Sequence, residues 1–346
     1  MRLYLDWNAT TPLRPEARDA MVAAMEVAGN PSSVHTEGRA AKLALEQARE
    51  AVAAALGAEG ADVIFTSGAT EAAAMALAGR GIACAPVEHP AVKAWCDPIL
   101  PVDGDGRVTV ADPAGSTLQL ANPETGVVQT LPQGLWASDL TQAFGKIPFS
   151  FNWLGLTCGF VSAHKLGGPK GIGALILKKG TDLPAILRGG GQEQGRRAGT
   201  ENLIGIAGFA AAAKAAQRDL ADGVWDRVAA MRDGLESRLA AAIPGLIVAG
   251  QGAPRLPNTS CLLTSGWKGE TQVMQMDLAG FAISAGSACS SGKVRASGTL
   301  QAMGFDDQIA SSAIRVSISP ALDADQVNRF AESWEKAYSR WRDRNG

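Results

Sequence analysis

The sequence predicts an α/β fold with a smaller α+β part at the C-terminus. Three observations carry this. Apolar runs of strand length alternate with Ala-rich runs of helical spacing over roughly the first 245 residues. From about residue 246 the texture changes to Pro-bounded strands, a small-residue loop near 284–298, a strand and a closing helix. The chain has 346 residues, enough for one large domain and a smaller one, and it shows no internal repeat or low-complexity linker.

Taken in order, residues 15–28 and 39–57 have helical apolar spacing, and Gly57 suits a helix C-cap. Val63-Ile-Phe-Thr66 reads as a buried strand that runs through Ser67-Gly-Ala-Thr-Glu71 into an Ala-rich helix over 71–78. A strand–turn–helix of this kind presents free backbone N–H groups where a phosphate can bind. Short apolar strands follow near 82–86, 117–121, 135–138, 158–162 and 173–177. Long helices are predicted over 201–219 and 223–242, a strand over 313–318, and a last helix from 323.

Composition narrows the function. Apolar residues make up 46% and charged residues 19%, the balance of a globular protein in water, and a net charge of −2 gives no reason to expect nucleic acid or an acidic membrane surface. Met1-Arg-Leu-Tyr-Leu-Asp6 meets an acid too early for a secretory signal, and the longest apolar stretch, 203–213, is too short to span a bilayer, so a cytoplasmic protein is expected. The five cysteines contain no C-x-x-C pair and the three histidines are far apart, which argues against a metal site and for free thiols.

Several residues invite chemistry, each with a plainer alternative. Lys165 follows Ser162-Ala-His164 and precedes a Gly-Pro-Lys-Gly-Ile-Gly turn. It suits a Schiff base to an aldehyde cofactor, or equally a surface loop entering a buried strand. Asp139, at a strand end, could pair with a pyridinium nitrogen or simply cap a helix. His89 could stack on a flat ring or be structural. Arg315 could grip a carboxylate or make an ordinary edge-strand ion pair. Cys289 lies in Ser284-Ala-Gly-Ser-Ala-Cys-Ser-Ser-Gly-Lys293, with no large apolar neighbour to bury it, as a nucleophilic thiol would. A phosphate-binding P-loop is excluded there, because Val294 stands where Ser or Thr is required.

The motifs Tyr4-Leu-Asp-Trp-Asn-Ala-Thr-Thr-Pro12, Gly29-Asn-Pro-Ser-Ser-Val-His35, Thr66-Ser-Gly-Ala-Thr-Glu71, Glu88-His89, Asp139-Leu-Thr-Gln142, Ser162-Ala-His-Lys165, Gly189-Gly-Gly-Gln-Glu193, Arg197-Ala-Gly-Thr200 and Gly286-Ser-Ala-Cys289 occur in the order seen in cysteine desulfurases. The chain resembles that family, the NifS/IscS kind of class V, fold-type I pyridoxal phosphate (PLP) enzymes, from residue 4 to about 320. The longer loop with Ser-Ala-Cys resembles the IscS type.

The resemblance implies a large PLP-binding domain over 13–245, with a mostly parallel sheet flanked by helices. It also implies a small domain built from 1–12 and 246–346 that carries the cysteine loop. Lys165 would bond the cofactor and later move the Cα proton, His89 would stack on the ring, Asp139 would meet the ring nitrogen and Gln142 the phenolic oxygen. Ala69, Thr70, Ser162 and His164 would hold the phosphate, with Thr200 reaching in from the second subunit of a homodimer. Arg315 would bind the carboxylate of L-cysteine, with Asn8 and Asn122 beside the substrate. Cys289 would take the sulfur as a persulfide, release alanine and pass the sulfur to an acceptor protein, an iron–sulfur scaffold or another carrier. Selenocysteine lyase, a transaminase and a non-catalytic scaffold are the competing readings; a transaminase has no use for Cys289, and the intact set of site residues opposes a scaffold.

Two departures stand out. The family's second Asn before the Gly-Val-Val-Gln turn is Pro123, which has no side-chain donor, so Asn122 substitutes for it or the contact is lost. The stretches 76–87, 91–118 and 129–135 are short for the family, and 130–134 is too short for a helical crossover. Outer helices are therefore expected to be missing, with extended connections in their place.

Overall fold

The computed structural model describes residues 2–286 and 296–345. Its larger sheet has strands Asp62–Thr66, Gly173–Leu177, Cys158–Ser162 and Ala137–Asp139 in that spatial order. Gly173–Leu177 runs antiparallel to both neighbours, while Cys158–Ser162 and Ala137–Asp139 are parallel. Parallel bridges Thr117↔Ala137 and Ala83↔Ser116 carry the sheet onward to Ala83–Cys84 and Asp97–Pro98. The sheet is thus mostly parallel with a reversed strand inside it.

Both faces are buried, which explains the continuous apolar runs. Ile64, Phe160, Leu175 and Leu177 pack under helix Ala69–Leu77. The alternate residues Val63, Phe65, Val161, Ala174 and Ile176 face the other way. There they share a core with residues of helices Thr36–Ala55 and Leu203–Ala221. The last helix is Ala- and Gly-rich because its neighbours come close: a Cβ on Gly208 would lie 2.6 Å from Met21.

A second core gathers the C-terminal residues. Strands Ser284–Ala285, Ile314–Ser317, Thr259–Leu263 and Ile247–Val248 form an antiparallel sheet, and Leu3–Tyr4 pairs with Phe281–Ala282. Trp267 and Trp334 are fully buried, with ring centroids 5.4 Å apart, and the Trp334 indole N–H donates to Gln272. Helix Val224–Ala242 contributes Val228, Leu235 and Leu239 to this core. The expected domain boundary at 245 lies just past the end of that helix at Ala242.

Residues 94–150 contain no helix. The connection between the bridged segments at 117 and 137 is extended, tied down by bridges Ala121↔Val128 and Val127↔Arg255. The structure therefore has the trimmed outer layer expected from the short connections. No described helix is long and apolar enough to cross a membrane.

Candidate active site

The strand ends and the turns that follow them converge with the C-terminal sheet on a cavity of about 1070 Å³. Lys165 enters it from the single turn Ala163–Lys165 that ends strand Cys158–Ser162. Its Nζ donates to the backbone oxygens of Asn8 (2.7 Å) and Ala9 (2.9 Å). The N-terminal segment, held by the C-terminal sheet through the Asp6↔Ser317 bridge, thus lies directly against this lysine.

One wall is built for an anion. Gly68, Ala69 and Thr70 start helix Ala69–Leu77, and Ser67, Ser162 and His164 line the cavity beside them. The first turn of that helix has backbone N–H groups without intrahelical partners. Gly173 lets the adjacent strand approach: a Cβ there would lie 2.5 Å from the Val161 carbonyl and 2.7 Å from Gly68 Cα. His164 contacts Thr10 through Nδ1 (3.1 Å), and burial, with Lys165 and Lys170 nearby, pushes its pKa down to about 4. It is therefore a neutral hydrogen-bonding group at pH 7.

Asp139 ends its strand and accepts a hydrogen bond from the Thr141 backbone N–H (2.9 Å). His89 caps the short helix Pro90–Lys93, its Nδ1 accepting from the Ala91 N–H (3.1 Å), which leaves Nε2 to carry the proton of the neutral ring. Burial lowers its pKa, Asp139 opposes that, and Lys165 and Lys93 add to it.

Arg315 projects from strand Ile314–Ser317. Its Nη2 donates to Asp6 (2.7 Å) and its Nη1 to the Pro123 carbonyl (3.1 Å), while its buried Nε has no partner. The guanidinium is held firmly and keeps a donor in reserve. Pro123 thus supplies a backbone oxygen to Arg315. Asn122 is not among the residues lining the cavity: its Oδ1 accepts from Glu124 N, Thr125 N and Thr125 Oγ1, and its Nδ2 donates to Val87 O. That side chain is committed to the turn. Asn8 does line the cavity, but its amide is bound to Thr259, Asn258 and Lys146. Thr200 is exposed and stands apart from this chain's cavity. Cys289 lies outside the described residues, although Gly286 before it and Ser297 after it line the cavity.

Two residues here went unnoticed in the sequence. Glu124 lies in the cavity wall, and burial raises its carboxyl to about 7 despite help from Ser297, Arg315 and Thr299. Lys146 is fully buried and donates to Gln142 Oε1 (2.6 Å) and Asn8 Oδ1 (3.0 Å). The one signal for it was its spacing, one helical turn beyond Gln142.

The class-V aminotransferase family matches residues 3–96 and 120–330, most of the chain. This chain belongs to that family. The unmatched interval, 97–119, lies within the helix-free connection. A cysteine desulfurase of Cereibacter sphaeroides is 40% identical, over 96% of this chain and 94% of that protein. The cysteine desulfurase IscS of Dictyoglomus turgidum is 33% identical, over 98% and 95%. The NifS-like protein of Rickettsia africae superposes with a TM-score of 0.87 at 28% identity, covering 98% of this chain and all of that one. The fold is therefore the fold-type I architecture of PLP-dependent enzymes, and PLP is the cofactor. The cavity fits it. The glycine-walled helix start suits the phosphate, Asp139 a ring nitrogen, His89 the ring face and Lys165 the aldehyde.

Proposed function

We propose that the protein is a PLP-dependent L-cysteine desulfurase that passes the substrate's sulfur to Cys289. The observation that carries this reading is the convergence of three groups on one cavity: the Lys165 amine, the anion cradle of Gly68–Thr70 with Ser162 and His164, and the reserve donor of Arg315. The cysteine desulfurases among its relatives support the substrate.

Bound there, PLP supplies an electron sink for the Cα carbon. The protein does the rest. Ser162, His164 and the N–H groups of 69–70 would hold the phosphate, Asp139 would pair with the ring nitrogen, and His89 would cover the ring. Arg315, anchored by Asp6 and the Pro123 carbonyl, would offer its remaining N–H donors to the substrate carboxylate. Lys165 would take the proton from Cα. The thiolate of Cys289 attacks the substrate sulfur, an S–S bond forms as the C–S bond breaks, and protons returned to carbon complete L-alanine.

We further propose a homodimer in which Thr200 of each chain reaches the phosphate site of the other; its exposure here supports that reading. The sulfur acceptor is a carrier protein or iron–sulfur scaffold. In the test, purified protein is coloured by PLP and converts L-cysteine plus a reductant to alanine and sulfide. Lys165→Ala loses that activity, while Cys289→Ala keeps the bound cofactor and loses sulfide release. Full sulfide release by Cys289→Ala overturns the assignment of Cys289.

A further inference from the structure

A fully buried lysine is costly unless the site uses it. Lys146, 2% exposed, lies behind the cavity among groups that are short of charge compensation, since the charges that act on it, Lys165 and Arg315, are both cations. Burial, reinforced by those cations, holds its pKa well below the ordinary lysine range. The amine donates to two buried oxygens: Gln142 Oε1 at 2.6 Å and Asn8 Oδ1 at 3.0 Å.

The Gln142 amide is pinned at both ends. Its Nε2 donates to the Asn8 carbonyl at 3.0 Å, the same oxygen that receives the Lys165 amine at 2.7 Å. Its Oε1 is held by Lys146. With both contacts made, one amide N–H remains for the cavity that Gln142 lines. Without Lys146, Oε1 would be a buried acceptor with no partner, and the amide would turn to find one.

We propose that Lys146 is a positioning residue: it fixes the Gln142 amide so that its remaining N–H points to the ring oxygen of the bound cofactor. This rests on the reading of the cavity as a PLP site.

The test compares Lys146→Met, Gln142→Leu and the double variant in the full-length protein with PLP. The readouts are kcat/KM for L-cysteine, the pH midpoint of the cofactor's visible absorption, and the Gln142 side-chain amide resonances before PLP is added. Lys146→Met should lose about tenfold in kcat/KM, the scale of one net hydrogen bond, and should move both the midpoint and the resonances. Because Lys146 acts through Gln142, the double variant should match Gln142→Leu. A further tenfold loss in the double variant, or an unmoved midpoint and unmoved amide resonances in Lys146→Met, overturns the proposal. If Lys146→Met does not fold, Gln142→Leu against the double variant still decides, since removing donor and acceptor together leaves fewer buried groups unpaired. If the wild-type protein takes up no PLP, the functional reading fails, and the Gln142 resonances alone decide whether Lys146 orients that amide: moved resonances support it and unmoved ones overturn it.

Discussion

Arg315 shows how a single side chain can be both anchored and available. Two of its nitrogens are fixed by Asp6 and Pro123 O, so in the proposed role the guanidinium would meet a substrate carboxylate without first losing rotamer freedom. A lysine has one nitrogen and cannot keep both anchors while offering a third donor in the same plane. Arg315→Lys should therefore raise KM for L-cysteine about tenfold or more, with a smaller change in kcat, measured by steady-state alanine formation. Glu124 makes a prediction about pH. Its carboxyl, ordinarily near 4.5, is raised to about 7 by burial, so the folded protein keeps a proton that the unfolded chain releases. Stability from this group is complete below about 4.5, is lost as pH rises towards 7, and is constant above. The change is of order 3 kcal/mol. Urea denaturation of Glu124→Gln should show that much less loss between pH 5 and 8 than the parent; equal losses would show that Glu124 is not the source.

At the scale of elements, the proposed phosphate cradle depends on Gly173, a strand position without a side chain. Gly173→Ala would drive its Cβ into the Val161 carbonyl and Gly68 Cα. The helix start must shift, and PLP affinity should fall at least tenfold while the fold survives, as dialysis against cofactor-free buffer would show; unchanged retention would mean the cradle lies elsewhere. The sequence pattern revealed these elements unevenly. Long periodic helices were legible: the expected 15–28 and 39–57 are Pro15–Met25 and Thr36–Ala55, with Gly57 at φ +58 just past the second. The start of the second helix was missed because His35 caps it through a ring nitrogen, which carries no Ser/Thr/Asp signature. The segment 117–121 carries apolar residues suited to a strand, yet among these residues the sheet contact is made by isolated bridges. In the site, Lys165, His89, Asp139 and Arg315 were visible because each sits in a motif. Lys146 and Glu124 were not, since both lie in turn-like sequence where burial comes only from distant segments folding over them.

Across the whole molecule, the helix-free stretch 94–150 replaces an outer layer with extended chain. It is still well tied. Leu118, Leu120, Ala121 and Val127 are buried, and Val127 bridges to Arg255, whose guanidinium is clamped by Glu236 at 2.7 Å. Hydrogen exchange over 117–128 in the PLP-loaded protein should therefore be slow; rapid exchange there would contradict this tying of the stretch to the core. The same long-range closure brings residues 6–9, 139–146, 165 and 315 around one cavity, which is where the chemistry is proposed to begin. Whether it ends as sulfur transfer can be read directly. PLP-loaded protein is incubated with L-cysteine without reductant, digested, and the peptide bearing Cys289 is weighed by mass spectrometry. The account predicts one additional sulfur on Cys289, with L-alanine formed alongside. Alanine formed with no sulfur on Cys289, or sulfur on another cysteine at full activity, would contradict it.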